Sequence, residues 1–230
     1  MSIFVIADLH LSFKNNKPMD IFGENWENHE KKIEDNWRKK VTEKDLVILP
    51  GDFSWAMKLE DTFQDFQYLN SLPGKKLLLK GNHDYWWNTL TKMRNYLKEN
   101  NFENIDFIQN NYYEYENTVI TGTHGWIING KEDDMKILRR EKLRLELELT
   151  AITKQYGNEK EIIVFTHYPP YEKNEYSFSE LFEKYNVKKC YYGHLHGEQA
   201  YGNIKDFEYN NVEYKLISAD YLNFDLAQVK

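Results

Sequence analysis

Cysteine is nearly missing: Cys190 is the only one among 230 residues, so neither an intrachain disulfide nor a cysteine-rich zinc site can form. A reducing, cytoplasmic setting is therefore expected. No apolar run approaches the ~20 residues of a membrane-spanning helix. The opening run Ile3-Phe4-Val5-Ile6-Ala7 stops at Asp8 without a basic lead-in. It is shorter than the ~7–15 residue core of a signal peptide, so neither export nor a membrane partner is expected. Basic charge is also short, 30 Lys+Arg against 37 Asp+Glu, for a formal net charge of −7. A duplex nucleic acid partner is therefore not expected. Repeats, low-complexity tracts and Pro/Gly/Ser-rich linkers are lacking too, and one domain over 1–230 is the expectation. What is present is the ordinary mixture of a globule, 41% hydrophobic and 29% charged, with an aromatic surplus of 16%.

Short apolar runs that end in Gly or a polar cluster read as buried strands at Ile3–Ala7, Leu46–Leu49, Leu77–Leu79, Ile162–Phe165 and Cys190–Tyr192. Ile105–Ile108 and Tyr112–Thr121 flank Asn110-Asn111, and Phe207–Tyr209 and Val212–Ser218 flank Asn210-Asn211. Both pairs predict hairpins, because Asn tolerates left-handed turns. Trp26, Ile33 and Trp37 space one face of a helix over about Glu27–Lys40, and Phe63, Phe66 and Leu69 space another. A longer helix over 131–156 carries Leu138, Leu145, Leu149, Ile152 and Tyr156 as its stripe. It could be a lid, a dimer surface, plain cover or a family-specific insertion. Strands alternating with helices and followed by hairpins predict an α/β fold of two partly parallel sheets covered by helices.

Chemistry gathers where the strands end. The runs lead into Asp8-Leu9-His10, Gly51-Asp52, Gly81-Asn82-His83-Asp84, Thr166-His167 and Gly193-His194-Leu195-His196. Five of the seven histidines lie at these ends; His29 and His124 are the others. In extended chain, residues i and i+2 share a face, so Asp8 with His10 and His194 with His196 could each reach one ion. Ligands of open α/β sheets collect at the carboxyl ends of strands. Imidazole, carboxylate and amide donors without sulfur suit Mn, Fe or Zn. Asp8, His10, Asp52, Asn82, His167, His194 and His196 are too many for one tetrahedral ion and suit two metal ions, an arrangement used for displacement at phosphorus.

The ordered pieces D-x-H, G-D, G-N-H-D, H and G-H-x-H, from Asp8 to His196, resemble the calcineurin-like metallophosphoesterases. The resemblance implies a four-layer α/β/β/α sandwich of two mixed sheets and a binuclear site. Asp8, His10 and His196 would hold one metal, Asn82, His167 and His194 the other, and Asp52 would bridge them, with a bridging hydroxide as nucleophile. Two divalent or trivalent ions of Mn or Fe, with Zn as the alternative, are implied. His83 would face the substrate as general acid or as a cation steadying the phosphoryl group, and Asp84 would orient it. Phe53-Ser54-Trp55 stands where the Ser/Thr protein phosphatases of this superfamily continue with Val-Asp-Arg-Gly, and Asp84 stands where they have Glu. Protein phosphatase activity is therefore not expected, and the chain looks closer to bacterial predicted phosphohydrolases. The expected activity is hydrolysis of a small or accessible phosphodiester or phosphomonoester. The alternatives are a nuclease and a non-catalytic metal-binding module of the same fold.

Other residues carry paired readings. His124 reads as a turn residue or a substrate contact, with Trp86 and Tyr168 as further candidate contacts. Trp55, Trp86, Trp87, Trp126, Tyr168 and Tyr171 follow the motifs closely and read as a base-stacking rim or as packing aromatics. His29, among Glu27, Glu30, Lys31 and Lys32, is expected on a solvated helix face. The run Arg139-Arg140-Lys142-Arg144, interleaved with glutamates, reads as the wet side of its helix, with a grip on an anion as the alternative. Neither substrate identity nor oligomeric state is legible.

Overall fold

The structure is a computed structural model and describes residues 1–15, 17–128, 131–172, 175–201 and 206–229. Strands β1 (Ile3–Val5), β2 (Leu46–Pro50), β3 (Lys75–Leu79) and β4 (Ile105–Ile108) run parallel in one sheet, with helices α1 (His29–Lys40), α2 (Phe63–Ser71) and α3 (Leu90–Glu99) in the connections. The chain then crosses to a second sheet through β5 (Tyr113–Tyr115), β6 (Thr118–Thr123), helix α4 (Asp134–Tyr156) and β7 (Glu161–Thr166). A two-stranded ribbon, β8 (Tyr171–Glu172) with β9 (Glu175–Tyr176), and helix α5 (Ser179–Lys184) lead to β10 (Lys189–Tyr192). Helix α6 (Glu198–Tyr201), β11 (Phe207–Tyr209), β12 (Val212–Leu216) and β13 (Ala227–Gln228) complete the chain. The sheet orders are β13-β1-β2-β3-β4 and β11-β12-β10-β7-β6-β5. The outer strands β13, β11 and β5 pair antiparallel, so both sheets are mixed.

Side-chain alternation along the strands explains the layers. In β1 and its continuation, Phe4 and Ile6 point to the core shared with Ile33 and Trp37 of α1, Phe66 of α2 and Met93 of α3. Ile3, Val5 and Ala7 point the other way, into a core shared with Ile120, Ile163 and Phe165 of the second sheet. Ile162 and Val164 of β7 face Leu145, Leu149 and Ile152 of α4 and Phe182 of α5. Three cores between four layers make the helix–sheet–sheet–helix sandwich. Strands buried on both faces need near-continuous apolar sequence, which is what the runs supply. The sheets meet where Ala7 of the first accepts from Ala219 N at 3.0 Å and donates to Ile217 O at 2.8 Å. Among the described residues no helix is long and apolar enough to cross a membrane.

Three local expectations differ. β4 and β5 lie in different sheets, so Asn110-Asn111 turns the chain between layers; the hairpin is β5–β6, closed at Glu116-Asn117. The second Asn pair does close β11–β12, with Asn210 and Asn211 at φ 49° and 60°. His29 is buried, 3% exposed, with Nε2 3.1 Å from the Leu9 carbonyl. Helical spacing i, i+4, i+8 places His29, Ile33 and Trp37 on one inward stripe, and the charged neighbours mask that register. Trp26 lies before the helix, in a 3-10 turn.

Candidate metal centre

The strand ends converge at the junction of the sheets, and left-handed backbone turns their side chains inward. Asp8, His10, Asp52 and His194 have φ of 62°, 47°, 52° and 72°. Each such residue costs about 1 kcal/mol, a strain that persists only where the surroundings fix it. Asp8 and His10 therefore meet through consecutive sharp turns, and the extended i, i+2 geometry expected from sequence does not apply. The turns are zipped to the next loop by Asp8 N to Gly51 O at 3.0 Å and His10 N to Asp52 O at 2.9 Å. The close approach depends on glycine: a Cβ on Gly81 would lie 2.1 Å from Asp52 N.

Two groups of ligand-type atoms result, Asp8 with His10 and His196, and Asp52 with His167 and His194. Asn82 completes the second, its Oδ1 2.7 Å from His167 Nε2 and 2.8 Å from His194 Nδ1. Asp52 Oδ2 lies between the groups, 3.6 Å from His167 Nε2 and 3.8 Å from His10 Nε2. His10 Nε2 is 3.2 Å from His196 Nε2. The donor set fits bound cations. His167 Nδ1 sits 3.1 Å from the Pro50 carbonyl, which only accepts, so the proton belongs on Nδ1 and Nε2 presents a lone pair. That lone pair faces the amide oxygen of Asn82, and two acceptors at 2.7 Å repel unless a positive charge sits beside them.

Charge reinforces this. Burial would raise the Asp8 pKa, but the His196, His167 and His10 imidazoles bring it well below the usual carboxylate range. Burial and the Asp8 charge push Asp52 up to about 8, against the hydrogen bond from His83 N. Burial lowers His10 and His167, and burial with the His167 charge takes His194 to about 3. His196 moves the other way, to about 10: burial opposes it, while Asp8 and a 3.0 Å hydrogen bond to Asp220 favour the charged ring. The Asp8 charge that holds a proton on Asp52 is the charge a cation placed between the two groups would balance, releasing that proton.

Asp220 is the functional neighbour that motif reading missed. It accepts from His196 Nδ1 and, at 2.9 Å, from Gly197 N, which fixes the His196 ring. Its signal was available, since Ser218-Ala219-Asp220 follows β12 as Asp8 follows β1. Trp26 also belongs here, edge-on to His10 at 5.9 Å and to His196 at 5.6 Å.

The expected role of Asp84 does not hold. Its carboxylate does not touch the His83 imidazole, whose buried Nδ1 has no partner among the described residues. It accepts instead from Asp52 N (2.9 Å), Phe53 N (3.0 Å), Ser54 N (3.3 Å), Gly81 N (2.8 Å) and Trp86 Nε1 (3.0 Å). Burial and the Asp52 charge raise its pKa to about 7. Five donors aimed at two oxygens leave no acceptor for a carboxyl proton, so the geometry is that of the carboxylate. Asp84 clamps the loop of Asp52 to the loop of Asn82.

The remaining candidates separate. His83 is half-buried, 5.7 Å from the His10 ring and 4.4 Å from the Trp55 ring. Trp86 is fully buried among Phe53, Phe66 and Phe107, so it cannot meet a substrate; its indole N–H is spent on Asp84. Tyr168 packs 4.4 Å from the His194 ring, and Trp55 stacks on His10 at 4.8 Å, so these two wall the site. Trp126 and Tyr171 pack against the α4 core. His124 stacks on His167 at 5.8 Å and 3°.

A model of the calcineurin-like phosphoesterase family matches residues 1–198. No curated protein matches the chain. Solved structures of similar fold include a protein of unknown function, AQ665 from Aquifex aeolicus, 19% identical with a TM-score of 0.54 over 99% of this chain and 95% of that one. TT1561 from Thermus thermophilus is 12% identical with a TM-score of 0.61 over 98% and 96%. At such identities the likeness is one of fold.

Proposed function

Since the chain belongs to the calcineurin-like phosphoesterase family, we propose that it is a two-metal phosphoesterase that hydrolyses phosphodiester or phosphomonoester bonds of small, accessible substrates. The placement of Asp52 Oδ2 between two groups of imidazoles carries this reading. Asp8, His10 and His196 would hold one ion and Asn82, His167 and His194 the other, with Asp52 within reach of both groups. Mn or Fe suits these donors, with Zn as the alternative. Bound there, the ions supply polarisation of the phosphoryl oxygens and an acidified water.

The chain's own residues do the rest. The Asp52 and Asp8 carboxylates are held by backbone N–H groups of His83 and His194, so neither swings when the negative substrate arrives. His83 stands beside the site and donates a proton to the departing oxygen. Burial and the His167 and Lys17 charges lower its pKa, so the free ring is neutral; it takes up a proton from solvent when the anionic substrate binds and passes that proton to the departing oxygen. Trp55 and Tyr168, packed on His10 and His194, flank the reacting group.

Metal content and turnover of bis(p-nitrophenyl) phosphate, measured with Mn²⁺, Fe²⁺ and Zn²⁺, test the reading. Two equivalents of metal and turnover that falls about 10²–10⁴-fold in His83→Ala, at unchanged metal content, are expected. A folded protein that binds metal and hydrolyses neither mono- nor diesters is a binding module, and one equivalent of metal refutes the paired site.

A further inference from the structure

Beside the metal centre lies a cavity of ≈ 200 Å³ between α4 and the ends of β3, β4 and β6 that the proposed reaction leaves unused. That is room for a phosphoryl group together with bound waters. Lys80, Arg140 and Arg144 supply its cations, Glu141 and Glu148 its acids, and His124 its inner wall. The cavity adjoins the centre twice: Lys80 precedes Gly81-Asn82 in the chain, and the His124 ring lies parallel to His167 at 5.8 Å.

The lining is built and is not charge-balanced. Arg140 and Arg144 sit four residues apart, on one face of α4. Glu141, itself buried, holds both, at 3.6 Å from Arg140 Nε and 3.0 Å from Arg144 Nη1, and accepts from Thr123 Oγ1 at 2.7 Å. One carboxylate cannot exhaust ten guanidinium donors, five on each arginine. Glu148 accepts from Thr121 Oγ1 and is held neutral at pH 7 by burial, which raises its pKa to about 8. Three cations thus face one carboxylate. His124 lines the cavity, and its Nε2 is buried without a partner among the described residues. Arg139, Arg140 and Arg144 are exposed, as a solvated helix face requires, and Arg140 and Arg144 also line this cavity.

We propose that this cavity binds a second phosphoryl group of the substrate, one that is not cleaved, so that the preferred substrates are phosphoesters bearing an additional phosphate. The proposal rests on the phosphoesterase reading above. Lys80, Arg140 and Arg144 supply the donors that hold this group at the cavity mouth.

Two measurements on the Lys80→Gln/Arg140→Gln variant test it; both side chains are exposed, so folding should survive and is checked by thermal melting. In the first, kcat/KM of the metal-loaded enzyme is compared for thymidine 3′-phosphate 5′-(p-nitrophenyl phosphate) and bis(p-nitrophenyl) phosphate. The natural chain should prefer the former, and the variant should lose about tenfold of that preference through KM, the scale of a lost charge-assisted hydrogen bond. An unaltered preference ratio overturns the proposal. In the second, inorganic phosphate is titrated into metal-free protein by calorimetry. Saturable binding that weakens about tenfold in the variant is expected, and equal binding by both chains, or none by either, overturns it. If neither ester is hydrolysed, the phosphoesterase reading fails, and the titration still decides the cavity.

Discussion

Replacing Asp84 with Ala should separate two roles that sequence alone cannot tell apart. The carboxylate is 1% exposed and receives five hydrogen bonds, four of them from backbone N–H groups on the Asp52 and Gly81 loops. Asp84→Ala leaves those donors in a cavity. Each lost bond costs at least about 1 kcal/mol, and more where the stranded group stays dry. Five give about 5 kcal/mol, a large share of the stability of an ordinary domain. For a chain of this size, 1 kcal/mol shifts Tm by about 2–4 °C, so the melting point should fall by about 10–20 °C. Asp84→Asn keeps one accepting oxygen but turns an NH₂ toward inward-pointing donors, so it should fall about half as far. Uncoupling the loops should also weaken Mn²⁺ binding, about 10–100-fold as for other groups that position metal ligands. Differential scanning fluorimetry and a Mn²⁺ titration read both. A carboxylate that served only to orient His83 would lower turnover and leave Tm and metal affinity alone. That result, with Tm within about 3 °C of the natural chain, would refute the clamp.

Two further outcomes are expected. The pKa of Glu148 rises from 4.5 to about 8 through burial, so the unfolded chain gives up this proton first as pH climbs. Its contribution to stability is whole below pH 4.5 and is lost on the way to pH 8, about 3 kcal/mol of it by pH 7. Glu148→Gln keeps the neutral form and the bond from Thr121, so its stability–pH profile, from urea unfolding, should be flatter across that window; parallel profiles would count against a protonated Glu148. Asp220→Ala frees the His196 ring, which should reduce affinity for one of the two metal equivalents about 10–100-fold and leave the other unchanged. Equal loss at both, or at neither, would contradict the role of Asp220 in holding His196.

Much was legible because it is local. Runs such as Leu46–Pro50 and Ile162–Thr166 are buried on every residue, since a strand between two layers has no wet face. Polar residues placed directly after such runs must lie at sheet ends, so Asp8, Asp52, Asn82, His167 and His194 could be picked out before their contacts were known. The pattern of β11–β12 was legible for the same reason, an Asn-Asn turn between two alternating segments.

What tertiary structure alone decided depends on partners distant in the chain. Sequence did not say that Asn110-Asn111 passes between sheets, because a turn residue encodes its own φ and not the strand it delivers. His29 went inward and Trp86 was sealed off because burial is set by what packs above a residue. Asp84 faced its neighbours' backbone, not the imidazole beside it, because carboxylates go where donors converge, and four of its five come from another loop or lie three residues back. Arg140 and Arg144 keep the wet helix face, while Glu141 and Glu148 went inward because β6 set Thr123 and Thr121 opposite them. Residue type and order specify the chemistry available at each strand end. Only packing of the two sheets determines which of those groups share a volume small enough for their charges to act on one another.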